Sequence, residues 1–265
     1  MTPRKMIVLR ILLYTLFALL GATAALYLLA SWNPPAYDPP QLDQAEKEWA
    51  AQRFVAHVAS LSHFGEENEP HWWQLTEERA NEYLAAMDEI AFRQPDRKNS
   101  PRRRGDVQCM MDRAGLAEPV VRFNNGRTTV MVRSSEYGKV LSADLSFTFV
   151  EEGKVLVNLQ GARVGLLPVP RLAIRDRLGR FKVQLERRLD RIQRQAAEAS
   201  DGGLAISGLV DLADIFATII AAVDSDPLPA VIKPMHVEIR EIVIEDGILK
   251  LLVVPYYEQD DDDDE

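Results

Sequence analysis

Apolar and polar residues alternate through much of the second half of the chain, and this pattern predicts antiparallel strands. The segment PVVRFNNGRTTVMVR at 119–133 places an Asn-Gly pair between two β-rich runs, which is the strongest short-range signal for a hairpin. KVLSADLSFTFV and KVLVNLQGARV follow as a second pair around EEG, and MHVEIREIVI and ILKLLVV form a third around EDG. These six runs show no βαβ alternation, so we expect an α+β fold.

A helical period replaces the alternation after residue 170. Seven apolar positions between residues 174 and 196 fall within about a third of the helical circumference at ~100° per residue. They are Ile174, Leu178, Phe181, Leu185, Leu189, Ile192 and Ala196. We therefore expect a curved antiparallel sheet of about six strands packed around one long amphipathic helix. Shorter helices are predicted after Leu42, after Thr76, which is a natural N-cap, and at 207–223.

The N-terminal region contains 22 successive apolar or uncharged residues, ILLYTLFALLGATAALYLLASW at residues 11–32. About 20 such residues cross a bilayer as a helix. Arg4, Lys5 and Arg10 precede the run, and the positive-inside rule then places the N-terminus in the cytoplasm and the rest outside. A cleaved signal peptide is the alternative, because Ala22-Thr23-Ala24 resembles a cleavage site. Either interpretation exports the domain, and the favoured one makes the chain a single-pass protein of the plasma (inner) membrane.

These patterns divide the chain into four parts. Residues 1–32 form the cytoplasmic N-terminus and the transmembrane anchor, and 33–41 form a proline-rich spacer expected to be stiff and to hold the domain off the membrane. Residues 42–257 form the extracytoplasmic α+β domain, and 258–265 form an acidic tail expected to be disordered.

Charge is distributed unevenly along the chain. The net charge is -9, but most of it lies in the final EQDDDDDE, and the body is close to neutral. Basic residues cluster at 93–104 and 171–195. An extracytoplasmic location argues against nucleic acid as their partner and leaves anionic lipid headgroups or anionic envelope polymers as the available phosphates. The alternative is that the arginines only solvate the outer face of a core helix, with their stems covering apolar surface.

Catalytic motifs are not found in the sequence. It contains no G-x-S-x-G elbow, no P-loop, no H-E-x-x-H and no dinucleotide fingerprint, so we expect neither an enzyme nor a cofactor. The segment HFGEENEPHWW could supply metal ligands, but its spacing is typical of a solvated acidic loop, and no metal is expected. The one cysteine, Cys109, excludes an intramolecular disulfide and is interpreted as a core residue.

The segment GARVGLLPVP at 161–170 is unusually apolar for a connection. Its prolines are expected to end strand pairing and to direct the chain into the long helix. Leu166, Leu167 and Val169 then form either a buried corner or an exposed apolar lip, which would line a groove or touch the membrane.

Several of these features together resemble a known family. LTEERANEYLA before a sheet, a strand ending in VGLLPVP, a long helix and a closing IVIEDGILKLLVVP are similar to the YpmS-type membrane-anchored extracytoplasmic proteins of bacteria, and more loosely to the tubular lipid-binding superfamily. The resemblance implies a non-enzymatic domain in which an apolar groove between sheet and helix holds a lipid. It implies roles for Gly165, Leu166, Leu167, Pro168 and Pro170, with Leu178, Phe181 and Leu185 facing the sheet.

Two functions follow as hypotheses. The first is binding of a membrane lipid or other amphiphile in an apolar groove, with Arg171 and Arg175 near an anionic head. The groove would be lined by Leu166, Leu167, Val169, Leu178, Phe181 and Leu185. The second is an interaction or scaffold module of the cell envelope, which has a filled core and protein partners and binds no ligand.

Overall fold

A computed structural model describes residues 3–66, 69–93, 111, 115–151, 154–170, 228–229, 231–232 and 237–256. The long helix expected at 171–195, the second helix expected at 207–223 and the acidic tail lie outside the described residues. The curvature of a sheet around that long helix therefore stays a prediction.

In the described part of the chain, four helices precede most of the strands: α1 (Pro3–Ser31), α2 (Gln44–Glu66), α3 (Glu77–Ala85) and α4 (Met87–Arg93). Within α1, the stretch Tyr14–Ser31 is apolar enough to cross a membrane and is not buried within the protein. The predicted helix start at Thr76 is confirmed, because its hydroxyl accepts a hydrogen bond from the backbone N–H of Arg79 at 3.3 Å.

The helix α2 begins with a reciprocal cap that its sequence explains. The Asp43 carboxylate accepts a hydrogen bond from the Glu46 N–H, and the Glu46 carboxylate accepts one from the Asp43 N–H, both at 2.8 Å. This is the arrangement of a capping box, which satisfies two backbone donors at a helix start.

The larger sheet is a six-stranded antiparallel sheet built on a meander. Four of its strands were predicted from the alternation: β2 (Leu116–Asn124), β3 (Arg127–Ser134), β4 (Val140–Glu151) and β5 (Lys154–Val164). Two short strands, β6 (Leu167–Pro168) and β7 (Leu228–Pro229), both pair with β5. The turn between β2 and β3 lies at Asn125 and Gly126, as the Asn-Gly pair predicts.

The second sheet has four antiparallel strands in the order β1 (His71–Thr76), β10 (Ile248–Pro255), β9 (Val237–Glu245) and β8 (Val231–Ile232). The fold is thus α+β with two antiparallel sheets in the described part, whereas one sheet was expected. One strand of this second sheet, β1, was not predicted from the sequence. It pairs with β10 along its whole length, and the last hairpin belongs to the same sheet.

The two sheets meet at the turns of their hairpins. The Gly126 N–H donates to the Ile244 carbonyl at 2.8 Å, and the Gly247 N–H donates to the Phe123 carbonyl at 2.9 Å. Gly126 and Gly247 both have positive φ, which glycine adopts without strain.

The helix α3 covers the outer edge of the larger sheet. The Asn81 side chain accepts from the Val121 N–H at 2.7 Å and donates to the Val121 carbonyl at 3.0 Å, as a neighbouring strand would. The Glu77 carboxylate accepts from the Phe123 N–H at 2.9 Å and pairs with Arg122. Side chains of α3 therefore satisfy both backbone groups of Val121 and the N–H of Phe123 on edge strand β2. The cluster beneath the helix contains Ala80, Leu84, Met87, Val121, Phe123 and Ile244.

Candidate functional site

The apolar segment GLLPV forms a tight hairpin against the end of helix α1. Gly165 and Leu166 make a two-residue turn between β5 and β6, in which Val164 is paired with Leu167. The Leu166 N–H donates to the Leu29 carbonyl at 2.9 Å. The last four carbonyl groups of a helix have no hydrogen-bond donor within the helix. The N–H of Leu166, from a distant part of the chain, is the donor for one of them.

Gly165 allows the helix to approach this closely. A Cβ atom at Gly165 would lie 2.6 Å from the Ala30 carbonyl oxygen and 2.7 Å from those of Leu29 and Trp32. Its φ of +59° is also a conformation that other residues adopt only with strain. The contact therefore requires glycine both for its conformation and for the space it leaves.

A second contact with α1 comes from the turn between β3 and β4, at residues 135–138. Lys139, directly after that turn, donates a hydrogen bond to the Ser31 hydroxyl, and its ammonium nitrogen lies 5.0 Å from the centre of the Tyr27 ring. A cation at a helix C-terminus is stabilised by the negative end of the helix dipole and, here, by the face of an aromatic ring.

The six-stranded sheet thus has two different ends. We call the end that contains both of these turns the anchor-side end. The opposite end, with the turn at Asn125 and Gly126, is called the far end.

The proline-rich segment at 33–41 packs on the six-stranded sheet through one aromatic side chain. Tyr37 is buried in a cluster with Val120, Met131 and Val140, and its hydroxyl donates to the Glu118 carbonyl at 2.8 Å. The prediction of a stiff spacer that holds the domain off the membrane considered proline alone and did not include this contact.

The environment of Tyr37 also changes its ionisation. Burial raises the pKa of Tyr37 to about 12, and the carboxylate of Glu118 acts in the same direction. The phenol is thus neutral over the physiological range and acts as a hydrogen-bond donor.

The structure describes some of the predicted site residues and not the others. Leu166 is exposed, and Leu167 and Val169 are half-buried beside it, so these three lie together in one corner at the anchor-side end. The other predicted site residues, Leu178, Phe181, Leu185, Arg171 and Arg175, lie outside the described residues.

The expectation that the prolines end strand pairing is corrected in one respect. Pro168 is paired with Arg163, and the Val169 N–H still donates to the Ala162 carbonyl at 2.9 Å. Proline is tolerated there because β6 is a short edge strand and its missing N–H need not serve the sheet.

Sequence analysis missed Gly165 as a contact point and missed Lys139 altogether. Gly165 carried a signal, since a glycine at the end of a strand indicates a turn or a close backbone approach. Lys139 carried none, because its role depends on contact with a helix far away in the sequence.

Elsewhere on the surface, the outer face of the four-stranded sheet has a shallow pocket of about 300 Å³. Its lining residues are Trp72, Gln74, Glu241, Val243, Glu245 and Lys250. Charges of both signs line it, and Glu245 pairs with Lys250 at 2.7 Å. Across the part of the chain that the structure describes, no three His, Cys, Asp or Glu side chains are grouped as metal ligands.

Comparison of the chain with protein-family models, with curated proteins and with solved structures gave no match. The resemblance to the YpmS-type proteins thus stays a prediction from the quoted sequence features.

Proposed function

We propose that the chain is a single-pass membrane protein whose extracytoplasmic domain binds a lipid or other amphiphile and catalyses no reaction. The orientation follows from Arg4, Lys5 and Arg10 before the apolar run. The observation that carries the proposal is the hydrogen bond between Leu166 and Leu29, because it joins the apolar corner of the domain directly to the end of α1.

The proposed mechanism is burial of apolar ligand surface. An amphiphile leaving the outer leaflet would meet Leu166, Leu167 and Val169 first, and each Å² of apolar surface that it buries is worth about 25 cal/mol. In the full proposal, a curved sheet and a long helix enclose the acyl chain. Leu178, Phe181 and Leu185 line that helix, and Arg171 and Arg175 contact the anionic head.

The test is a titration of the full chain, held in lipid nanodiscs, with a fluorescent fatty acid. The proposal predicts saturable uptake that is competed by unlabelled fatty acid and weakened in Leu167→Ser with Val169→Ser. The matched control is Val150→Ser, which removes an exposed apolar side chain from the other end of the same sheet. Uptake that never saturates, or that both variants change equally, contradicts a lipid-binding site.

A scaffold module with a filled core and no ligand is the second candidate. It is favoured by the packing of the described residues, whose buried apolar side chains form five clusters. In the same titration this candidate predicts no saturable uptake, and it places the function in envelope protein partners instead.

A further inference from the structure

The anchor-side end of the six-stranded sheet exposes apolar and aromatic side chains beside the end of α1. Tyr137 is 69% exposed in the turn between β3 and β4, and Leu166 is 38% exposed in the turn between β5 and β6. Trp32, directly after α1, is 67% exposed. At the far end, the turn between β2 and β3 presents polar residues instead, with Asn124, Asn125 and Arg127 exposed.

The depth of this end relative to a bilayer follows from the contact with α1. Leu29, which accepts the bond from Leu166, lies three residues before Trp32, where the apolar run ends. At about 1.5 Å per residue, that is about 5 Å along the helix axis. Tryptophan is enriched at headgroup level, in a layer about 5–8 Å thick on each side of the hydrocarbon. With Trp32 in that layer, the turn at Leu166 lies near its inner boundary when α1 spans the membrane.

The side chains at this end have the chemistry of a membrane interface. Tyrosine and tryptophan are enriched at headgroup level, and lysine buries its stem while its ammonium stays near phosphate or water. Lys139, between Tyr27 and Ser31, is placed for this role. Glu136 is exposed in the same turn as Tyr137. A carboxylate is costly in hydrocarbon, so the turn belongs in the headgroup layer and no deeper.

We propose that Tyr137 and Leu166 rest in the headgroup layer of the outer leaflet of the bilayer that α1 spans, so that the domain lies on the membrane in one fixed orientation. This inference rests on the proposed function only in taking α1 as membrane-spanning. It requires no bound lipid inside the domain, and it assigns a contact to the β3–β4 turn that lipid binding in a groove does not need.

The experiment places an environment-sensitive fluorophore at single cysteines of the full chain, in a Cys109→Ala background. The chain is reconstituted in vesicles of phosphatidylethanolamine and phosphatidylglycerol that contain a lipid with a nitroxide quencher near the headgroup. Tyr137→Cys and Leu166→Cys test the contact. Val150→Cys and Trp72→Cys are matched controls, because both positions are exposed and apolar but lie at the far end or on the other sheet. Leu20→Cys, inside α1, reports on the anchor itself, with the quencher on the acyl chain.

The expected result is strong quenching and blue-shifted emission for labels at positions 137 and 166, and little quenching at 150 and 72. Equal quenching at all four positions, or none at 137 and 166 while the label at position 20 is quenched, overturns this inference and leaves the anchor standing. A label at position 20 that the acyl-chain quencher does not reach overturns the anchor and the proposed function together with it.

Discussion

The two ends of the six-stranded sheet are closed in different ways. At the far end, the turn at Gly126 bonds to Ile244 of the second sheet. Along β2, the edge strand that leads into this turn, the side chain of Asn81 satisfies both backbone groups of Val121. At the anchor-side end, the turn at Gly165 and Leu166 bonds to the last turn of α1.

Helix α1 is thus a structural part of the domain as well as its proposed anchor. The far end finds its partners within the domain and exposes polar residues around them. The anchor-side end finds its partner in a helix that is apolar and not buried elsewhere, and it exposes Tyr137 and Leu166 next to that helix. A change at one end should therefore affect either the core of the domain or its attachment, but not both equally.

Gly165→Ala should have the largest effect of the substitutions considered, because it disrupts the contact between the anchor-side end and α1. The positive φ alone costs a non-glycine residue about 1–3 kcal/mol. The added Cβ would also meet three backbone carbonyl oxygens within 2.7 Å, and the only relief is to separate the turn from α1. We expect a lower urea midpoint for the full chain in nanodiscs, and new protease cleavage in the segment at 33–41.

The matched control for this substitution is Gly138→Ala. Gly138 has a φ of +62° in the neighbouring turn, and an added Cβ there meets nothing within 4 Å. It carries the conformational cost without the clash, so equal losses in the two variants would contradict the role assigned to the contact with α1.

Asn81→Ala should weaken the far end and leave the attachment intact. It removes both hydrogen bonds to Val121, and each unsatisfied buried backbone group costs about 1–3 kcal/mol, less where water can enter. We expect a loss of about 2 kcal/mol in the free energy of unfolding. Asn158→Ala is the control, since it removes a hydrogen bond to Thr148 on an exposed face and should change little. If Asn81→Ala caused the same protease cleavage at 33–41 as Gly165→Ala, the two ends of the sheet would not be independent, and the account would be contradicted.

Lys139→Met should loosen the attachment by a smaller amount. The substitution keeps the apolar stem and removes the charge that lies near the Tyr27 ring and the C-terminus of α1. Interactions with a helix dipole and with an aromatic face are each worth about 0.5–1 kcal/mol at exposed sites. The expected result is a modest rise in protease cleavage at 33–41. Lys250→Met, which removes an ion pair with Glu245 on the other sheet, should leave that cleavage unchanged.

Acidification should weaken the packing of α2 on the second sheet slightly. His57 is half-buried, stacks on Trp73 with ring centres 4.4 Å apart, and has its pKa lowered from 6.5 by burial. The unfolded chain therefore takes up a proton at a higher pH than the folded one, so stability is lost as pH falls below about 6.5 towards the folded pKa. The urea midpoint should fall over this window, and His57→Gln should reduce the slope. A midpoint that rises on acidification would contradict the assigned direction.

The sequence predicts the local elements of this fold better than their partners. The alternation and the Asn-Gly pair identify the meander strands, and Thr76 identifies the start of α3, because these signals depend on near neighbours. The strand β1 was missed because Trp72, Trp73 and Leu75 are also suitable for packing before a helix, and only pairing with β10 decides between the two.

The candidate site could be predicted only in part for the same reason. Leu166, Leu167 and Val169 stand out as an apolar corner in the sequence alone. The contact of Gly165 with Leu29, and that of Lys139 with Ser31, join segments far apart along the chain, and no periodic pattern encodes them.

The most direct test of the account is a cross-link between α1 and the β5–β6 turn in the intact membrane. Leu29→Cys and Leu166→Cys in the Cys109→Ala chain are treated with a short bis-maleimide, and the linked peptides are identified by mass spectrometry. Because the backbones of these residues are joined by a 2.9 Å hydrogen bond, we predict efficient linkage within one chain. Leu29→Cys with Val150→Cys, at the far end, should give none. Linkage of the second pair as efficient as that of the first, or no linkage of the first, would contradict the claim that the anchor and the domain form one structural unit.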